Sequence, residues 1–139
     1  MKILILCTSN SCRSQMAEAI LKSFDPTLNV YSAGTFPTDA VHAKAVKVMK
    51  EAGINISGYK PKNADLFVNE EFDYLVTVCD AARESCPVFW GKVKSRLHID
   101  FDDPAEAQGT EEEQLAVFRR VRDEIRHEFS RFYKYLIQK

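Results

Sequence analysis

Little in this sequence carries charge of one sign, and nothing in it is both long and apolar. The 139 residues hold 19 Lys and Arg against 20 Asp and Glu, a formal net charge of -1. No broad field is on hand to hold nucleic acid or an anionic membrane, so a small anionic ligand would need a local positive site. The early apolar run Ile3-Leu4-Ile5-Leu6 is too short for a secretory core and has no small-residue cleavage site after it. No segment reaches the length that crosses a bilayer. The expectation is a cytoplasmic protein with no nucleic-acid or membrane partner. Glycine and proline number only five each, and no linker, repeat or low-complexity tract divides the chain. One domain over residues 1–139 is expected. The four cysteines are Cys7, Cys12, Cys79 and Cys86, and no Cys-x2-Cys or paired histidines accompany them, so no common zinc signature is present and no metal is assigned. In a reducing compartment they read as reactive, metal-binding or buried thiols rather than structural bridges.

What is present alternates between two periods. Residues 3–6 are continuously apolar, as strands covered on both faces are. Met16, Ala17, Ile20, Leu21 and Phe24 recur at helical spacing and stop at Pro26. Val30-Tyr31-Ser32 reads as a second strand closed by Gly34. A second helix is expected from Thr38 or Asp39, burying Val41, Ala45, Val48, Met49 and Ala52, with Gly53 just beyond its end. Tyr74–Val78 is a β-branched strand and Val93–Ile99 carries the last one. A weak helical segment spans Ala81 to Ser85. Thr110, with Glu113 in capping-box position, starts a long final helix that buries Leu115, Phe118, Val121, Ile125, Phe129, Phe132 and Leu136. The fold class is α/β: a parallel sheet of about four strands with helices on both faces, a three-layer sandwich. Ligands of such sheets sit at the carboxyl ends of the strands. Cys7, Cys79 and the Asp103-Pro104 pair each follow a strand, so all three fall at one edge.

The loop Cys7-Thr8-Ser9-Asn10-Ser11-Cys12-Arg13-Ser14 joins the first strand to the first helix. Backbone N–H groups and the helix N-terminus make such a loop an anion site, and Arg13 adds a planar fork for two oxyanion oxygens. Cys7 at its base would have its pKa lowered from about 8.5 to roughly 3.5–7.5, with Ser14 donating to the thiolate. Cys12 reads as a packed thiol. Asp103 is the expected proton donor, with Asp100 and Asp102 as competitors. His42 on the exposed side of a helix, His98 on a strand and His127 among charges read as structural.

Cys79 and Cys86 are seven residues apart. Two thiols on a loop beside an oxyanion-binding thiolate are what a redox relay requires. If residues 79–86 were helical, their Cα atoms would stand about 10.5 Å apart, whereas a disulfide needs roughly 4.4–6.8 Å. The segment must therefore change conformation to join the pair.

Beyond these local readings, the chain resembles the thioredoxin-coupled arsenate reductases of the low-molecular-weight tyrosine phosphatase superfamily. The resemblance runs through Cys7–Glu18, Tyr31-Ser32-Ala33-Gly34, Val76–Cys79, Cys86-Pro87, Phe101–Ala105, Gly109–Glu113 and Arg120–Ile125. It implies strand order 2-1-3-4, no bound cofactor, and thioredoxin as reductant; a monomer is expected. It also implies that Cys7 attacks arsenate, that a Cys7–Cys79 disulfide forms as arsenite leaves, and that Cys86 converts it to Cys79–Cys86. Phosphate and sulfate would compete for the loop. Ser9 stands where the family usually has glycine. The alternative is a low-molecular-weight tyrosine phosphatase working through a Cys7 phosphoenzyme, but those enzymes carry aromatic residues after the Asp-Pro pair, where this chain has Ala105-Glu106-Ala107.

Overall fold

The structure, a computed structural model, describes residues 1–138. Four strands, β1 (Lys2–Cys7), β2 (Asn29–Gly34), β3 (Glu71–Thr77) and β4 (Lys92–His98), are joined by α1 (Arg13–Phe24), α2 (Ala43–Glu51) and intervening loops, and α3 (Glu111–Ile137) closes the chain. The strands form one parallel sheet in the order β2-β1-β3-β4. The chain leaves β1 toward one side for β2 and returns to its other side for β3, so strand order reverses beside β1. That reversal opens the crevice in which α/β sheets hold ligands.

β1 is apolar throughout because both of its faces are covered. Ile3 and Ile5 enter the larger core, with Met16 and Ile20 of α1, Val48 and Met49 of α2, and Phe118, Val121, Ile125 and Phe129 of α3. Leu4 and Leu6 enter a smaller core with Ala33, Phe67, Phe72, Leu75 and Phe89. The three α-helices cover the first face, while a 3-10 turn at Ala64–Phe67 and its flanking loops cover the second. Among the described residues, no helix is long and apolar enough to cross a membrane.

The final helix begins where its local chemistry says it should. Thr110 accepts from the Glu113 N–H and the Glu113 carboxylate accepts from the Thr110 N–H, a complete capping box. Gly53 ends α2 with φ +83°, and the bonds Gly53 N–H to Lys50 O and Ile54 N–H to Met49 O complete a Schellman motif. The start of α2 differs from the expectation. It begins at Ala43 rather than near Thr38, because the Phe36, Thr38 and His42 N–H groups are spent on the carbonyls of Thr8, Ser9 and Ser11. His42 is half-buried and not on an exposed face: it caps α2 by accepting from Lys44 N–H and packs its ring 4.8 Å from that of Phe118. The weak helix expected at Ala81–Ser85 is a turn here, closed by Arg83 and Glu84 N–H groups on Asp80 O.

Candidate functional site

The loop after β1 is built to turn its donors inward. Its Thr8, Ser9 and Ser11 carbonyls accept from Phe36, Thr38 and His42 at 2.9, 3.1 and 2.9 Å. Those bonds tie the loop to the segment that follows β2, and within the cup that the loop forms Asn10 N–H reaches Cys7 Sγ at 3.1 Å. The close approach of β2 depends on Gly34, where a Cβ would lie 2.4 Å from Thr8 O and 3.0 Å from Asn10 N. Backbone cannot yield there as a flexible side chain can. Gly34→Ala should therefore destabilise the fold by about 1–3 kcal/mol and weaken phosphate binding, both readable by denaturant titration with and without phosphate.

Asn10, at φ 54°, is the one non-glycine residue with positive φ among the described residues. Asparagine tolerates that region better than most side chains. Ser9 itself has no positive φ, so a side chain at the position where the family usually has glycine brings no backbone strain there. Asn10 is fully buried and organises the loop. Its side-chain amide donates to Ser14 Oγ at 2.7 Å and Ser32 Oγ at 3.1 Å, and its carbonyl oxygen Oδ1 accepts from Gln15 Nε2 and Lys62 N–H, both at 2.9 Å. Ser32 in turn donates to Glu18 at 2.6 Å. Gln15, Glu18, Ser32 and Lys62 were not legible as site residues. Gln15 and Glu18 lie one turn apart on α1 beside the loop and, like Ser32, fall within the stretches that carry the family resemblance, while Lys62 falls outside them.

Cys7 is 1% exposed, with Ser14 Oγ at 2.8 Å. The expected lowering of its pKa is not met in this state. Burial pushes the thiol up, and the opposing pull of Ser14, the Asn10 N–H and the Arg13 charge does not overcome it. Arg13 is itself already engaged. Its guanidinium donates from NH1 to Glu84 Oε2 at 2.7 Å and from NH2 to Glu84 Oε1 at 3.0 Å, with a further bond to Phe101 O at 3.1 Å. Burial works against both charges, yet the pairing outweighs it: the Arg13 pKa stands above its ordinary value and that of Glu84 below. Cys12 is a packed thiol pushed up to about 12 by burial. In this disulfide state, iodoacetamide at pH 7 should label Cys7 at least roughly tenfold more slowly than a free thiol, with the rate rising steeply at higher pH, and should leave Cys12 unlabelled; mass spectrometry of the digest reads both.

The three aspartates separate by their partners. Asp103 Oδ2 lies 3.7 Å from Arg13 NH2, at the mouth of the cup, and its other oxygen accepts from Ala105 N–H at 3.0 Å. Asp102 pairs with Arg120, and Asp100 holds His98 and Ala81 N–H. Only Asp103 is joined to Arg13. The cleft around it has a volume of about 740 Å³, roomy for a tetrahedral oxyanion, and includes Thr8, Ser9, Arg13, Glu84 and Asp103 in its wall.

Cys79 and Cys86 form a disulfide with Cα atoms 5.8 Å apart. Cys79 is buried and Cys86 half-buried. The register of β1 on β3 pairs Leu6 with Thr77, and Val78 N–H donates to Leu6 O at 3.1 Å, so Cys7 and Cys79 leave adjacent strands side by side. His98, read as structural from sequence, stands at the end of β4 with a ring nitrogen within 4.8 Å of both sulfurs. Cys79, Cys86 and His98 are the one metal-ligand group among the described residues. While the sulfurs are bonded to each other neither is a thiolate, which is the form that binds metal.

Known proteins resemble this chain over nearly its whole length. The family model for low molecular weight phosphotyrosine protein phosphatase matches residues 2–139. An arsenate reductase of Halalkalibacterium halodurans is 49% identical over 124 residues, 88% of this chain and 88% of that protein. An arsenate reductase of Bacillus subtilis is 47% identical over 131 residues, 94% of this chain and 93% of that protein. A solved structure of an arsenate reductase in the phosphate binding state matches with a TM-score of 0.78 at 28% identity, covering 94% of this chain and 95% of that one.

Proposed function

The chain belongs to the low molecular weight phosphotyrosine protein phosphatase family, and within it we propose that it reduces arsenate to arsenite by a three-cysteine relay that thioredoxin resets. One observation carries this reading: a Cys79–Cys86 disulfide stands at the end of the strand beside the one that delivers Cys7 to an anion loop. A hydrolase needs the loop but has no use for the pair. The 49% identity to an arsenate reductase supports the same choice.

In the reading proposed, the Cys7 thiolate attacks the arsenic of arsenate held by Arg13 and the backbone of residues 8–13. Asp103 gives its proton to the departing oxygen, which leaves as water. Cys79 thiolate then attacks Cys7 Sγ. The sulfur–arsenic bond breaks, its electron pair stays on arsenic, and arsenite departs as As(III), leaving a Cys7–Cys79 disulfide. Cys86 thiolate attacks Cys79 Sγ and expels Cys7 as thiolate, stabilised by Ser14 Oγ. The Cys79–Cys86 disulfide that results takes two electrons from a thioredoxin dithiol by a further exchange. No bound cofactor is needed.

A phosphotyrosine phosphatase would share the first step. The wall of the cleft next to Asp103 is made by Glu106, Ala107 and Gln108, with no aromatic ring to flank a phenyl group. The test is stoichiometric. Reduced protein given one equivalent of arsenate and no reductant should release one arsenite, lose two thiols and carry the disulfide at Cys79–Cys86. Loss of arsenate without loss of thiols would sink the reading.

A further inference from the structure

The loop that carries Cys86 also carries Glu84, and Glu84 occupies the oxyanion fork. Its two carboxylate oxygens lie 2.7 and 3.0 Å from the two terminal nitrogens of Arg13. This is the bidentate geometry that a bound oxyanion would adopt with the same side chain. Arg13 is 4% exposed and the Glu84 side chain 24%, so the pair sits in the wall of the cleft and not on the open surface. The carboxylate is fixed further by Asp80 N–H, 3.1 Å from Oε2, and the Glu84 N–H donates to Asp80 O at 2.9 Å. The rest of the wall adds to the barrier: Asp80, Glu84, Asp102, Asp103 and Glu106 face Arg13, Arg83 and Arg120. A tetrahedral anion entering this state meets an excess of carboxylates and an arginine already satisfied.

We infer that Glu84 is an internal substitute for the oxyanion, which closes the Arg13 site while the Cys79–Cys86 disulfide stands and releases it when the disulfide is reduced. The coupling is mechanical. Residues 79–86 are a turn held across 5.8 Å by the disulfide. Glu84 lies between the two cysteines, so breaking the S–S bond frees the segment that positions it. Reduction, in which a dithiol reductant supplies two electrons and two protons to the two sulfurs, therefore removes the tether on the competing carboxylate. The device orders the cycle: an oxidised molecule, which has no thiol at position 79 to complete the reduction, does not hold arsenate unproductively.

The inference rests on the proposed reading only in treating the disulfide as a working state, and its test needs no reductase activity. Phosphate binding is measured by titration calorimetry on the full chain, oxidised and reduced, for the parent and for Glu84→Gln. Glutamine keeps the size and one acceptor oxygen but removes the charge. In the parent, reduction should tighten phosphate binding by at least about tenfold, since a charged bidentate competitor is lost. In oxidised Glu84→Gln the affinity should rise toward that of the reduced parent, so the ratio between redox forms collapses. Equal affinities of the oxidised and reduced parent would overturn the inference. So would an oxidised Glu84→Gln protein no tighter than the oxidised parent, provided its unfolding transition matches the parent's. A separate arm, Glu106→Gln, removes a cleft carboxylate that does not touch Arg13. If it tightened phosphate as much as Glu84→Gln did, the general field and not the substitute at Arg13 would be responsible, and the inference would fail.

Discussion

Cys86→Ser should release one arsenite per molecule and then stop. In the relay, Cys86 acts only after arsenite has gone, so its loss leaves the first two steps intact and strands the protein as a Cys7–Cys79 disulfide. Multiple turnover with thioredoxin should fall by more than about a thousandfold, the scale on which loss of a nucleophile with no substitute registers. Rapid-quench assay of arsenite against protein concentration gives the burst directly, and mass spectrometry of the quenched protein locates the bond. The adjacency of the β1 and β3 ends, with Leu6 opposite Thr77, is what supports a direct Cys7–Cys79 bond. If Cys86→Ser turned over at the parent rate, the order of the relay would be wrong.

Arg13→Lys should cost nearly as much, by a different route. Arg13 is almost wholly buried and its fork meets Glu84 with two bonds, Phe101 O with one and Asp103 at 3.7 Å. Lysine keeps the charge but offers a point, not a plane with paired donors. Removing one oriented donor from a site where charge develops typically slows the chemical step by about 100–1,000-fold, and at least that loss in kcat is expected here. The same substitution should remove the tenfold gap in phosphate affinity between redox forms, because both the substrate and Glu84 lose their shared partner. A variant that lost stability but kept kcat would show Arg13 to be a packing residue.

Features written in adjacent residues are legible in the sequence, and those that depend on distant partners are not. The run Ile3–Leu6 announced a strand covered on both faces, and Thr110 with Glu113 announced the start of α3, because each is written in adjacent residues. β4 was found but not its character: most of its side chains are exposed, so no burial pattern marks it. Thr38 is a residue type that favours a helix N-cap, which places the start of α2 several residues early, whereas its N–H lies 3.1 Å from Ser9 O. The convergence of Cys7, Arg13, Cys79, Cys86 and Asp103 on one sheet edge is legible because groups after strand ends meet there in a parallel sheet. Glu84 was not, since its partner lies 71 residues away and nothing in Ala81-Ala82-Arg83-Glu84-Ser85 marks one acid as special. Asn10 was read as one loop residue of several. Its place at the centre of the network depends on Ser32 and Lys62, 22 and 52 residues on. The expected shift of Cys7 is not met for a related reason: the loop supplies the donors and Arg13 the charge, but burial, which depends on the whole fold, outweighs them.

The most direct test of the account is arsenate-dependent consumption of NADPH by the full chain, coupled either to thioredoxin and its reductase or to glutathione, glutaredoxin and glutathione reductase. The account predicts sustained consumption in the thioredoxin arm, one NADPH per arsenite formed, and at most a small fraction of that rate in the glutathione arm. Sustained turnover with glutathione and glutaredoxin alone, or turnover that survives Cys79→Ser, would contradict it.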